Sequence, residues 1–296
     1  MTTAQATDWG PLSEPLHNEV PEGAPPWRDN AFLSFWDPER GLVGTLHVST
    51  SPNAEGRRAR LSVETGGRTI ELVESLEPGT FTSESITFDA GASFKVASER
   101  ISGEIVTTPL FGLADYTGDK APVEFSLDHE RPLMHYQRAA LVTGTLVVDG
   151  RTVELNGHGF RDRTWGYRDE SSSINEYFGY MWTFPSFAVT SMRLQGGGGA
   201  EQTIGFVLSS DDTVNVTSMS MTRDASGLFA ASKLELTDGR TIEVRGVDRR
   251  AGFWCPMGWE RTGPTLSAFD EFISLRTSDG EEGFGLIEQG IVKHLF

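Results

Sequence analysis

Short stretches of alternating or continuous apolar residues recur along most of the chain, and turn-forming residues separate them. The stretches follow one another at a spacing of about ten residues, which is typical of antiparallel sandwiches and barrels. Examples are AFLSFWD, GLVGTLHVSTS, RARLSVET, RTIELVES and QTIGFVLS. Hardly any segment keeps the 3.6-residue period of an amphipathic helix. The pattern therefore predicts an all-β protein.

Three segments of nearly identical sequence predict β-hairpins. GGRTIEL ends at Leu72, DGRTVEL ends at Leu155 and DGRTIEV ends at Val244. Each begins with Gly-Gly or Asp-Gly, which accepts the backbone angles of a tight turn, and continues with alternating apolar side chains.

The chain length of 296 residues favours two domains, because single hydrophobic cores rarely grow beyond about 250 to 300 residues. Repeated prolines in residues 1–29 predict an extended arm, since proline interrupts both helices and strand ladders. The segment PLFGLADYTGDKAPVEFSLDHERPLMHYQ is rich in loop-forming residues. We place the first domain, with its arm, at residues 1–130 and the second at residues 131–296.

The net charge is −17, from 42 acidic and 25 basic residues. A surface this acidic repels phosphate backbones and anionic headgroups, so nucleic acid is a poor partner. The first residues lack an export signal, and no apolar run approaches the roughly 18 residues that span a membrane. The single cysteine, Cys255, excludes an intramolecular disulfide. We expect a cytoplasmic protein, monomeric or homodimeric.

Charged and aromatic residues crowd together in GHGFRDRTWGYRD, from Gly157 to Asp169. On a regular strand Arg161, Arg163 and Trp165 share one face, and Asp162 and Thr164 share the other. Arg–Asp ion pairs and Trp stacking in this segment are able to close the end of a barrel, which would be a structural role without catalysis.

The alternative is that this segment binds or transforms a ligand. Asp162 is then the preferred acid, because an apolar cavity raises a carboxyl pKa. His158 is the other candidate acid or base, and Asp169 is the candidate partner that orients an arginine. Arg161 and Trp165 are candidate substrate contacts.

Other polar residues lie within apolar stretches and point inward if they are functional. These are Asp37, Glu176 with Tyr177, and Glu288. A hydrogen-bonded structural position explains each of them as well. Nucleophile-elbow, zinc-protease, phosphate-loop and dinucleotide motifs are absent, and the six histidines are scattered. We expect neither a metal nor a cofactor, and His129 with His135 makes only a weak metal pair.

The segment YQRAALVTGTLVVDGRTVELNGHGFRDRTWGYRD resembles the carotenoid 1,2-hydratase, AttH-like and tocopherol-cyclase-like superfamily. The resemblance rests on a VDG hairpin followed by G-x-G-x-RD-x-[ST]-WG-x-RD, and PPWRDNAFLSFWDPERGLVGTLHVSTSPN adds a less specific match. It implies two consecutive lipocalin-like barrels with a hydrophobic cavity. One departure is Arg163, which stands where relatives usually have histidine, so His158 or Asp162 would have to move the proton here.

The resemblance further implies a cofactor-free hydratase or dehydratase, isomerase or cyclase that acts on an alkene-bearing terpenoid or other hydrophobic small molecule. The rings of Trp165, Tyr177, Tyr180, Trp182 and Phe184 would stabilise a developing carbocation, or else they simply fill the barrel core. Two alternatives remain: a non-catalytic carrier of a hydrophobic ligand, and a structural protein with filled barrels.

Overall fold

The computed structural model describes residues 8–17, 25, 27–50, 58–90, 93–117, 126, 128, 130–168, 174–196, 201–257 and 264–294. Within these ranges the side chains of 174, 175, 255–257, 264–267 and 291–294 are not described. The fold is all-β, as predicted, and a single 3-10 turn (Gly10–Ser13) is the only helical element in the described ranges. None of the described residues forms a helix that is long and apolar enough to cross a membrane.

The three predicted hairpins are confirmed. They join strand pairs whose turns contain Gly67, Gly150 and Gly239, at φ of 75°, 77° and 86°. These positive φ values explain the shared Gly, because side chains with a Cβ rarely adopt them.

Backbone contacts divide the chain into two compact units. The first comprises residues 1–110 and 128–168, and the second comprises 111–127 and 169–296. The strands of the first unit are β1 (Trp27–Asp37), β2 (Leu42–Thr50), β3 (Arg58–Thr65), β4 (Arg68–Ser75), β5 (Ile86–Asp89), β6 (Ser93–Ala97), β7 (Ile101–Pro109), β9 (Met134–Val148) and β10 (Arg151–Tyr167).

These strands form one curled antiparallel sheet in the order β4-β3-β2-β1-β10-β9-β7-β6-β5. Phe35 on β1 and Phe94 on β6 lie four places apart in this order, yet their ring centroids are 6.0 Å apart. Both rings are fully buried. The sheet therefore curls into a half-barrel, and the face that carries these rings is its concave side.

The second unit contains the short strand β8 (Ala114–Asp115) and a closed barrel. The barrel strands are β11 (Ile174–Thr183), β12 (Ala188–Gly196), β13 (Glu201–Leu208), β14 (Thr213–Arg223), β15 (Phe229–Leu236), β16 (Thr241–Met257), β17 (Pro264–Thr277) and β18 (Glu282–His294). Each strand pairs antiparallel with the next, and β18 pairs with β11.

One cluster of buried apolar side chains receives residues from all eight barrel strands, and only the lumen is common to all of them. Tyr180, Trp182 and Phe229 are its largest fully buried members. The curled sheet and the closed barrel agree with the two lipocalin-like barrels expected from the sequence.

The domain boundary expected near residue 130 differs from the observed division. Strands β9 and β10 lie after that residue, yet β10 pairs with β1 along ten residue positions, from Trp27 opposite Tyr167 to Trp36 opposite His158. This long-range pairing keeps residues 128–168 in the first unit. Part of the predicted arm is described, and it places Trp9 and Leu12 in buried positions.

The two glycines that begin the Gly157–Asp169 segment are explained by β1. A Cβ at Gly157 would collide with the carbonyl oxygen of Trp36, and one at Gly159 with that of Ser34. Close backbone approach therefore requires glycine at both positions.

Gly157→Ala is expected to destabilise the protein by about 1–3 kcal/mol, because the new methyl group meets backbone that cannot rotate away. Urea denaturation followed by circular dichroism measures the loss. Gly179→Ala is the control, since its nearest new neighbour would be the Ser191 carbonyl oxygen at an ordinary 3.5 Å. Equal midpoints for the two variants would contradict this explanation.

Candidate functional site

Strand β10 carries the segment from Gly157 and has a partner on each side, β1 and β9. Its pairing with β9 is regular from Arg151 to Trp165. Arg161, Arg163 and Trp165 therefore share one face, and Asp162 and Thr164 share the other, as the alternation predicts. The two faces have different chemistry.

The concave face holds a buried ion pair between Arg163 and Asp29. Both side chains are fully buried, and the guanidinium Nη1 donates to a carboxylate oxygen of Asp29. The same nitrogen donates to the Asn30 carbonyl at 3.0 Å. The guanidinium also donates to the carbonyls of Glu14 at 3.3 Å and Pro15 at 3.0 Å. Arg163 therefore holds the N-terminal arm on the sheet.

Arg161 binds the arm and a second loop. Its Nη2 donates to the Ala90 carbonyl at 2.5 Å and to the Leu12 carbonyl at 3.4 Å. The guanidinium lies 4.4 Å from the centroid of the Trp9 ring. Burial lowers the pKa of Arg161 to about 10, a shift that the nearby Asp89 opposes. The group remains a cation at neutral pH, and it binds the arm through Leu12 and Trp9.

Trp165 lies against the arm as well. The His17 ring stacks on it with centroids 4.8 Å apart, and the Tyr136 ring lies at 5.6 Å. His17 Nδ1 is 3.0 Å from Asp29 Oδ2, which also accepts the His17 backbone N–H at 2.7 Å. Between them, Arg163 and His17 satisfy both oxygens of the Asp29 carboxylate. This face agrees with structural closure.

The opposite face of β10 contains a polar cluster around Asp162. Oδ2 of Asp162 lies 2.5 Å from His135 Nε2 and accepts a hydrogen bond from Gln137 Nε2 at 2.6 Å. Oδ1 accepts the Thr164 hydroxyl at 2.9 Å. His135 and Gln137 lie on β9 directly opposite Thr164 and Asp162, so the register brings the four side chains together.

The pKa of Asp162 is lowered. Burial alone would raise it, but the charge and hydrogen bond of His135, with hydrogen bonds from Gln137 and Thr164, outweigh that penalty. The sequence-based expectation of a raised pKa is therefore wrong. Asp162 is ionised at neutral pH, and it accepts hydrogen bonds rather than donating a proton.

Asn30 extends this cluster on the β1 side. It lies directly opposite Thr164, so their side chains share a face. The residue is 5% exposed, and its amide oxygen has no hydrogen-bond partner among the described residues. A buried acceptor in this state is able to accept a hydrogen bond from water or from a bound molecule.

His158 lies farther along β10, away from the Asp162 cluster. Burial lowers its pKa, and the nearby Asp37 opposes that shift. Asp37 is buried, and it accepts hydrogen bonds from Arg40 Nη1 at 2.7 Å and from the Asn156 backbone N–H at 3.0 Å. Asp37 thus organises the β1–β2 turn, while His158 is a neutral imidazole at neutral pH.

The remaining predicted site residues belong to the second unit. Tyr177 donates to a carboxylate oxygen of Glu288, and Glu176 accepts from Arg223 Nη2 at 2.8 Å. Tyr180 and Trp182 stack with centroids 4.1 Å apart. Phe184 stacks on Phe187 at 4.6 Å. Tyr180, Trp182 and Phe184 belong to the lumen cluster, as the core interpretation of these rings expected.

Two residues of the Asp162 cluster were missed from sequence. No sequence motif singles out Gln137, and the sequence suggests for His135 only a weak metal pair with His129, which lies outside the described residues. The hairpin turn at Gly150 could have revealed both residues. A regular antiparallel register from that turn places Gln137 opposite Asp162 and His135 opposite Thr164. The predicted Asp169 lies outside the described residues. Among the side chains that are described, no three His, Cys, Asp or Glu residues are grouped as metal ligands.

A pocket of about 490 Å³ opens at one end of the barrel in the second unit. Apolar side chains, among them Phe187, Val207 and Ile242, line its inner part. Two of its charged lining residues, Arg240 and Glu281, are bound by Asp238 and Ser186, respectively. Its lining also includes three further carboxylates, those of Asp212, Glu243 and Asp279.

A sequence profile described as Domain of unknown function (DUF7064) matches residues 11–291. The chain belongs to this family. No curated protein is similar enough in sequence to match it.

Solved structures show what the DUF7064 fold is similar to. An AttH-like protein from Nitrosomonas europaea has a TM-score of 0.67 at 13% identity, with 99% of each chain covered. Kievitone hydratase from Nectria haematococca has a TM-score of 0.61 at 13% identity, with 98% of this chain and 94% of that chain covered. CghA with Sch210972 has a TM-score of 0.65 at 12% identity, with 91% and 89% covered. These likenesses establish the fold expected from the sequence resemblance.

Arg163→Met is expected to lower the free energy of unfolding by about 3–5 kcal/mol, because it leaves the Asp29 carboxylate buried without its cation. The double variant Asp29→Asn/Arg163→Met should lose less than the sum of the two single variants. Urea denaturation measures all three. Arg240→Met, which breaks an exposed pair with Asp238, serves as the control and should change the midpoint little. Additive losses in the double variant would argue against the pair.

Asp162 should make stability depend on pH. Its pKa in the folded state lies below the unfolded value of about 3.9, so its stabilising contribution is complete above that pH. The contribution is lost as the pH falls through the folded pKa. The difference in unfolding free energy between the wild type and Asp162→Asn should therefore be larger at about pH 5 than below about pH 3, and it should narrow as the pH falls between these values. Asp211→Asn, at an exposed position, is the control: its unfolding free energy should differ from that of the wild type by an amount that does not depend on pH. If the difference for Asp162→Asn grew in acid instead of narrowing, the lowered pKa of Asp162 would be contradicted.

Proposed function

We propose that this DUF7064 protein catalyses proton transfer to and from an alkene-bearing hydrophobic small molecule, as a cofactor-free hydratase, isomerase or cyclase. The main support is the pair formed by Asp162 on β10 and His135 on β9, whose Oδ2 and Nε2 atoms lie 2.5 Å apart. Gln137 and Thr164 also donate hydrogen bonds to the Asp162 carboxylate. The solved hydratase and the CghA complex with its small molecule have the same fold, and this likeness supports the choice of substrate class.

His135 is the proton carrier in this proposal. The carboxylate of Asp162 lies 2.5 Å from Nε2 and orients the ring, and histidine is the side chain most often used for proton transfer near neutral pH. Asp162 is a positioning residue, because its three hydrogen bonds keep it ionised. This arrangement replaces the histidine that the resemblance leads one to expect at Arg163, whose guanidinium is occupied by Asp29 and the arm.

The chemistry needs no reactant other than water, and only the hydration consumes it. The imidazolium gives its proton to one alkene carbon, and the carbocation forms on the other. Water adds to that carbon and returns a proton to the imidazole, which completes a hydration. In an isomerisation the cation loses a proton from a neighbouring carbon to the imidazole. In a cyclisation a second double bond of the substrate attacks the cation, and the new cation then loses a proton to the imidazole.

The experiment exploits the carbon protonation that all three reactions share. Purified protein is incubated in D₂O with a panel of acyclic isoprenoid alkenes and prenylated phenols, and deuterium on a former alkene carbon is measured by mass spectrometry. We expect deuterium in at least one substrate. If a compound of the panel stays bound to the re-purified protein but carries no deuterium, the carrier alternative would be supported instead.

Variants then assign the roles. His135→Gln and Asp162→Asn should each lower kcat by about 10²–10⁴-fold, the range of general acid–base catalysis, with KM changed only a few-fold. Asp162→Asn should also shift the pH profile, which a merely structural role would not do. His158→Gln is the matched control, because His158 does not contact the Asp162 cluster, and it should retain turnover. Full turnover by His135→Gln would exclude it as the proton carrier.

A further inference from the structure

A second group of buried polar side chains lies inside the barrel of the second unit. Tyr180 on β11 and Glu271 on β17 are each directly opposite Ile287 on β18, and Gln289 follows two residues later on β18. Cross-strand partners and residues two apart on one strand share a face. Ile287 and Tyr180 belong to the lumen cluster, so Glu271 and Gln289 also face the lumen.

Each of these three side chains is buried with one polar atom that has no hydrogen-bond partner among the described residues. Tyr180, Glu271 and Gln289 are 1%, 2% and 7% exposed, and the atoms are Oη, Oε2 and Nε2, respectively. Ser232 lies near the Tyr180 hydroxyl, and because the Ser232 hydroxyl donates to the Ser220 carbonyl at 2.7 Å, it can offer Tyr180 only an acceptor. Unpaired polar atoms in a core are costly, and three around one lumen residue point to a missing partner.

The other ends of these side chains are fixed by arginines. Glu271 Oε1 accepts from Arg249 Nε at 2.5 Å, and Gln289 Oε1 accepts from Arg223 Nη1. Arg249 also binds Asp224 at 2.8 Å. Arg223 is also bound by Glu176 at 2.8 Å. The unpaired atoms are therefore held in place, and both arginines already have carboxylate partners, so neither is available to an anion.

Burial raises the pKa of Glu271, while Arg249 opposes the shift. A partner that brought negative charge would face this carboxyl directly. A cation would leave the Gln289 amide N–H without an acceptor. A hydroxyl group satisfies both neighbours, because it donates to a carboxyl oxygen and accepts from an amide N–H.

We propose that the barrel lumen binds the hydroxyl group of an uncharged, apolar small molecule between Tyr180, Glu271 and Gln289. The ligand hydroxyl donates to Glu271 Oε2 and accepts from Gln289 Nε2. The Tyr180 hydroxyl donates to the second lone pair of the ligand oxygen. The rings of Phe178, Trp182 and Phe229 belong to the same lumen cluster as Tyr180, and they would contact the apolar body. This binding site goes beyond the proposed proton-transfer function and lies in the other unit.

The test uses 2-naphthol, with naphthalene as the matched compound that lacks only the hydroxyl. Isothermal titration calorimetry on the full chain should show saturable binding of one 2-naphthol, and naphthalene should bind at least about fivefold more weakly. The anion 2-naphthoate should bind more weakly than 2-naphthol.

Two variants locate the site. Gln289→Leu and Tyr180→Phe should each weaken 2-naphthol binding about fivefold and bring it towards the naphthalene value. Gln202→Leu, on another strand of the same barrel, is the matched control and should bind normally. Tyr180→Phe removes a single hydroxyl group, so it keeps the test decisive if Gln289→Leu does not fold.

Equal affinities for 2-naphthol and naphthalene would overturn the proposal, and so would unchanged binding by both variants. Absence of saturable binding would mean that water alone serves these groups, which also overturns it. Asp162→Asn should bind 2-naphthol normally, so a failure of the proton-transfer proposal would leave this result unaffected.

Discussion

The first unit depends on the buried ion pair between Arg163 and Asp29. An isolated charge of either sign would be too costly in the interior of the half-barrel, so each residue requires the other. The remaining donors of Arg163 then need acceptors, and the carbonyls of Glu14 and Pro15 supply them. The ion pair therefore also fixes the path of the N-terminal arm, whose residues Trp9 and Leu12 cover the concave face.

The same strand serves different purposes on its two faces because side chains alternate along β10. Arginines with well-satisfied guanidinium groups occupy the concave face, where they hold the arm. The carboxylate of Asp162 occupies the other face, beside an imidazole. Neighbouring positions in the sequence therefore differ in role, and crowding of charge in a short segment does not by itself identify the catalytic group.

Local features of the fold were predictable from the sequence, whereas features that depend on register were not. The Asp149–Gly150 turn and the alternation after it predict a hairpin, because the signal lies within a few residues. The pairing of β1 with β10 joins distant segments, so the boundary expected near residue 130 missed it. The pKa of Asp162 depends on His135 across that hairpin, and the composition of the segment pointed in the opposite direction.

The pairing of β1 with β10 has a consequence for biosynthesis. As the chain leaves the ribosome, β1 is complete long before β10 exists, and residues 111–127, which belong to the second unit, emerge in between. The β10-facing edge of β1 has no permanent partner during that interval, and open strand edges invite association with other chains. A fragment that stopped at residue 130 would keep this edge permanently exposed. The two units thus cannot be separated by a single cut in the gene, and their maturation is tied to one order of synthesis.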